Sequence, residues 1–146
     1  MEPLEDRSLL SINVAVVGGT FNDYGFNASR DQLNNDTYFN FSATVVSPSQ
    51  VDSVAELSAY DAVVIGNNGF QNGDWFDNSA FTWALRSWVE NGHGVVATGW
   101  TVYGAGPSSG GPTIANIDAI VPVNTSVWYG AHGAGYAVVP NSTAHP

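Results

Sequence analysis

Apolar residues along this chain fall into short dense runs that alternate with sparser, helically spaced ones. "INVAVV" (12–17), "FSATVV" (41–46), "DAVVIG" (61–66) and "GVVAT" (94–98) have strand length and a β-branched composition. Most of them are apolar at nearly every position, the pattern of strands covered on both faces. Between them lie candidate helices. "ASRDQLNND" (28–36) is a short, weakly patterned one. Pro48 and Ser49 open "SQVDSVAELSAY", where Val51, Val54, Leu57 and Tyr60 recur at helical spacing. The clearest helix follows Asn78 or Ser79, either of which can cap it. Phe81, Ala84, Leu85, Trp88 and Val89 then form one stripe, and Gly92 ends it. Further on, "TIANIDAIV" places Ile114, Ile117, Asp118 and Val121 at helical spacing, and "TSVWYGAHGAGYAVVP" reads as a hairpin around "GAHGAG".

Buried-type strands separated by helices predict an α/β fold with a doubly wound, mostly parallel sheet. Residues 12–146 are expected to form one domain, since 146 residues support one core and not two comfortable ones. The closing "NSTAHP" arrives where a further helix or strand is due, so the domain is expected to be truncated or part of a longer protein. Residues 1–11, "MEPLEDRSLLS", read as a leader ahead of the fold.

Charge narrows the partners. Three Arg and no Lys stand against 13 Asp and Glu, a net charge of −10. Such a field repels phosphate backbones and anionic lipid surfaces, so neither nucleic acid nor membrane insertion is expected. No apolar run approaches the roughly 20 residues that a spanning helix needs. Neutral sugars, other polar small molecules and divalent cations remain compatible. Cysteine is absent, which removes disulfides and thiolate chemistry.

In an open parallel sheet, ligands bind beyond the carboxyl ends of the strands, where strand order reverses. Three loops qualify: Gly18 to Tyr24, Asn67 to Asp77, and Gly99 to Gly106. The first has Gly18 and Gly19 but neither G-x-G-x-x-G spacing nor Lys, so a tight turn explains its glycines better than a nucleotide does. Its one carboxylate, Asp23, is either a solvated loop residue or an acid/base or ligand-orienting group. The second, "NNGFQNGDWFDN", sets Asn67, Asn68, Gln71, Asn72, Asp74 and Asp77 beside Phe70, Trp75 and Phe76. Amides and carboxylates hydrogen-bond sugar hydroxyls and aromatic faces stack on sugar rings, yet Asn-Gly pairs are also ordinary turn chemistry. EF-hand spacing is absent.

At the third loop, Trp100 occupies the tip of "GHGVVATGW", where many α/β enzymes present a nucleophile. It is either a stacking platform or a plug filling an emptied pocket, and Tyr103 lies close behind it. Thr98 and Thr101 carry hydroxyls but lack a paired base in sequence. His93, His132 and His145 form no metal-binding pair, and no cofactor or metal site is implied. His93 precedes the fourth strand, at the end of the sheet opposite the crevice, and is expected to be structural.

"INVAVVGG", "LSAYDAVVIG", "ALRSWVENGHGVVATG" and the late "HP" together resemble the class I glutamine amidotransferase-like superfamily, nearest its trehalose-utilisation (ThuA-like) branch. The resemblance runs from Ile12 to the C-terminus and implies a flavodoxin-like fold. That superfamily's catalytic Cys would fall on Trp100, and its His-x-Glu pair has no counterpart near His132 or His145, so glutaminase chemistry is not implied. Separately, "LEDRSLLS" is similar to the LEPR-xLL motif of exported planctomycete proteins, with Asp6 in place of its Pro. It implies an exported bacterial protein.

The expected function is therefore a non-catalytic domain of an exported multi-domain protein, whose partners are its own other domains and a neutral carbohydrate or similar ligand. Asp23, Asn67, Asn68, Trp75, Trp100 and Tyr103 are the candidate ligand-binding residues. The alternative is a sugar-directed hydrolase or isomerase, with Asp23 as general acid/base and Asn67 or Thr98 stabilising charge.

Overall fold

A computed structural model describes residues 10–18, 24–65, 79–98, 116, 117 and 119–121. Within them, Ile12–Val17 (β1), Phe41–Val46 (β2), Ala62–Ile65 (β3) and Gly94–Ala97 (β4) form one sheet. Its order is β2-β1-β3-β4 and every described pairing is parallel. The helices are Tyr24–Asn34 (α1), Val54–Leu57 (α2) and Ser79–Glu90 (α3), with a short 3-10 turn at Pro48–Gln50. The class is mixed α/β, as the alternation of strand and helix patterns requires.

The pleat of β1 divides its side chains between two apolar clusters. Val14 and Val16 join Ala43 and Phe26, with Leu33 packed against them, so α1 lies on that side. Ala15 and Val17 join Leu57 of α2 and Phe81, Ala84, Leu85 and Trp88 of α3. A strand buried on both faces cannot show polar/apolar alternation, which is why "VAVV" is continuously apolar.

Elements match the sequence expectations where the apolar stripe is dense and depart from them where it is sparse. The α3 stripe is buried as spaced, with Val89 partly buried, and Gly92 follows at φ +97°. Glycine tolerates that left-handed conformation without a Cβ clash, and its N–H donates to Val89 O. Helix α1 instead begins at Tyr24 and not at 28. Phe26 explains the early start, because its ring is 1% exposed beneath β1 and β2 and burial outweighs the poor propensities of Gly25 and Asn27. The helix expected over 49–60 is broken into the 3-10 turn and α2. Ser53 restarts it: its Oγ accepts from the Glu56 N–H while Glu56 Oε2 accepts from the Ser53 N–H, a capping box. Of the helix expected over 113–121, Asn116 and Ile117 are helical, and Ile117, Ile120 and Val121 are buried in the cluster holding α2 and α3.

Two polar contacts organise the sheet. Asn13 donates its N–H to Asp61 Oδ2 at 2.8 Å, and Asp61 returns its N–H to Asn13 O at 2.8 Å, so β3 enters beside β1. At the opposite edge, the Asn34 amide spans the backbone of Ala43: Oδ1 accepts from its N–H at 2.7 Å and Nδ2 donates to its O at 3.1 Å. A side chain thus occupies groups that would otherwise template another strand. Replacing it, Asn34→Ala, is expected to cost about 1–2 kcal/mol, two net hydrogen bonds' worth, and Asn34→Asp, which keeps only the acceptor, about half that. Thermal melts of both variants check this; an unchanged melting temperature for Asn34→Ala would show that the clamp contributes nothing.

Candidate functional site

The strand order identifies the place. From β1 the chain moves outward to β2, and from β3 it moves the other way to β4, so direction reverses between the neighbours β1 and β3. All described pairings being parallel, the carboxyl ends of the strands share one rim, and a reversal of strand order is where open parallel sheets hold their ligands.

Three loops start from this rim. The first leaves β1 at Gly18, whose N–H donates to Val46 O at 2.8 Å and ties it to the end of β2. The second leaves β3 after Ile65. A third leaves β4 at Thr98, whose N–H donates to Ile65 O at 3.0 Å. Since β1, β3 and β4 are adjacent and strands lie about 4.8 Å apart, the three starting points fall within about 10 Å of one another. The candidate ligand-binding residues Asp23, Asn67, Asn68, Trp75, Trp100 and Tyr103 follow these strand ends in sequence and lie outside the described residues, as do Gly19, His132, His145 and the hairpin expected around "GAHGAG". Placed by the structure are the stems: Gly18, Ile65 and Thr98.

Gly18 is explained by packing. A Cβ built there would stand 2.8 Å from Phe26 Cδ2 and 2.9 Å from Cγ, so the first turn of α1 presses its aromatic ring against the end of β1. That agrees with a tight strand-to-helix turn and requires no phosphate. Thr98, weighed above as a charge-stabilising group, is half-buried at the rim.

His93 is at the far end of the sheet. It precedes β4, about 16 Å along the strand from Thr98 at roughly 3.3 Å per residue. Its imidazole stacks on Trp88 with ring centroids 4.3 Å apart and planes 9° apart. It is exposed, so it covers the Trp88 ring from the solvent side and stands away from the rim. The clamp by Asn34 and the Gly18–Phe26 contact were not legible as pairs, because each joins positions whose local patterns say nothing of one another.

Among the described residues, no three His, Cys, Asp or Glu converge as metal ligands, and no helix is long and apolar enough to cross a membrane. What fold and rim define is a class: an α/β domain with a four-stranded, all-parallel sheet and a strand-order reversal between β1 and β3. Comparisons with protein families, curated proteins and solved structures found no match to this chain.

Proposed function

We propose that this chain is a doubly wound, flavodoxin-like domain of the glutamine amidotransferase-like kind, without glutaminase chemistry, that binds a neutral carbohydrate or similar polar ligand. It belongs to an exported multi-domain protein. The observation that carries the site is the reversal of strand order between β1 and β3, which starts three loops from adjacent strand ends. The polar-aromatic set of "NNGFQNGDWFDN", together with Asp23, Trp100 and Tyr103, follows these strand ends in sequence and would face one crevice in this reading. Amides and carboxylates would hold hydroxyls, and Trp100 would stack on the ring of the ligand. The separate clusters on the two sides of β1 support the doubly wound arrangement. Net charge of −10 favours a neutral ligand over an anionic one.

Tryptophan fluorescence and thermal shift against a panel of mono- and oligosaccharides, with and without Ca²⁺, test this reading. Saturable quenching by a sugar, lost in a Trp100→Ala variant that still melts cooperatively, is the expected result. Silence toward every ligand, joined to a large drop in the melting temperature of Trp100→Ala, would make Trp100 a core plug and sink the binding reading.

A further inference from the structure

The turn between α1 and β2 exposes aromatic rings. Tyr38 is 82% exposed and Phe39 59%, although a reversal from helix to strand needs no ring at either position. Single exposed apolar residues are ordinary, whereas two neighbouring aromatics on a fixed backbone form a patch. This backbone is fixed at both ends. Asp36 Oδ1 accepts from the Tyr38 N–H at 2.8 Å and from the Phe39 N–H at 2.7 Å, and the Asp36 N–H donates to Leu33 O in α1. At the other end, Asn40 O accepts from the Ile12 N–H at 2.8 Å. The Phe39 ring meets that of Phe41 with centroids 5.6 Å apart, and Phe41 packs against the cluster that holds Phe26. The turn lies beyond the amino end of β2, about 16 Å along the strand from the rim at roughly 3.3 Å per residue.

We propose that Tyr38 and Phe39 form a second binding surface, a platform for a neutral polysaccharide, at the opposite end of the sheet from the rim and independent of the rim reading. The flanking groups set the ligand chemistry. Asn35 and Thr37 are exposed, and neither their side chains nor the Tyr38 hydroxyl has a partner among the described residues. Aromatic faces take the C–H face of a sugar ring, while amides and hydroxyls bond its hydroxyl groups. Charge argues against an anionic chain. Arg30, the nearest cation in sequence, is paired with Asp31 at 2.8 Å, Asp36 lies in the turn itself, and the whole chain carries −10. Area argues against a second copy. The two rings expose roughly 300 Å² together, whereas a stable complex buries about 800 Å² on each partner. An open turn has no walls, so a free monosaccharide would keep most of its surface in water; a polymer can meet both rings with successive units. The pinned backbone lowers the ordering cost of such a contact.

Affinity electrophoresis of the full chain tests the proposal, with hydroxyethyl cellulose, galactomannan and soluble starch as neutral polymers and alginate as an anionic one. NMR shift mapping with the same polymers locates the contact and needs no variant to fold. Retardation by at least one neutral polymer and not by alginate is expected, with the largest amide shifts at residues 37–40. Tyr38→Ala should weaken that retardation about three- to tenfold, the loss of one stacked ring, and removing Phe39 as well should abolish it. No retardation by any neutral polymer would overturn the proposal. So would retardation by alginate, or retardation that survives the loss of both rings. A sedimenting dimer that dissociates in Tyr38→Ala would overturn it too, because a second copy would then cover the patch. Shifts at Gly18, Ile65 and Thr98 without shifts at 37–40 would reject the platform and leave the rim reading standing. Shifts at 37–40 with no sugar quenching of tryptophan would support the platform and count against the rim.

Discussion

Trp88→Ala is expected to cost about 3–5 kcal/mol, the range for emptying a buried indole site, and to leave a domain of ordinary stability barely folded. Trp88 is 1% exposed and packs on the inner face of α3 with Phe81, Ala84 and Leu85 against β1 and β3. Its outer ring face carries the stacked His93. The indole Nε1, however, is buried with no hydrogen-bond partner among the described residues. An unpartnered buried donor costs about 1–3 kcal/mol relative to hydration, so part of what the ring contributes by burial is cancelled by its own N–H. Trp88→Phe removes that donor while keeping most of the apolar volume, and should lose less than about 1.5 kcal/mol. Urea denaturation of the two variants separates the terms. Equal losses would mean that Nε1 is bonded in solution; a mild loss for Trp88→Ala would mean that the α3 face is not the centre of the core.

Gly18→Ala comes next, at about 1–3 kcal/mol, the usual penalty for forcing atoms into a filled core. The added Cβ would meet the Phe26 ring at 2.8 Å, and that ring is fixed between β1, β2 and α1 with no open side to swing into. Rigid aromatic carbons do not give way as the end of a long side chain does. Relief should therefore come from the partner. In a double-mutant cycle, Phe26→Leu in the Gly18→Ala background is expected to recover part of the loss, with a coupling of about 0.5–3 kcal/mol. Additive losses would place α1 elsewhere. Because the chain leaves β1 at Gly18 for the rim, any shift of α1 in the single variant should also weaken the sugar quenching proposed above.

Between them the two sites mark how far the sequence could be read. Trp88 was legible because four other apolar residues share its helical stripe, and a dense period survives any tertiary context. Phe26 was not legible, since Leu33 is its only large apolar companion at helical spacing in α1 and the residues between them are polar apart from Ala28. The same holds for the 49–60 stretch, where the apolar spacing suits one long helix while the Ser53 capping box stops and restarts it. At the rim, the loops were located from strand ends alone. Which of their side chains share a ligand depends on the paths between those ends, and no periodicity encodes those paths.

Four strands, the burial of β1 on both faces, and the long helix before β4 follow from the sequence by itself, because each rests on a dense local apolar pattern; the equally apolar β4 is left with Val96 exposed. The charge balance likewise belongs to composition and needs no fold. Strand order was decided by the tertiary structure alone: β1 is central because its two faces meet two different helix layers, and nothing in "INVAVV" says which neighbours it takes. So was the closure of the β2 edge, where Asn34 reaches nine residues along the chain to hold both backbone groups of Ala43. Hydrogen bonds between groups distant in sequence depend on where the chain has been brought, and packing of the two faces of β1 is what brings it there.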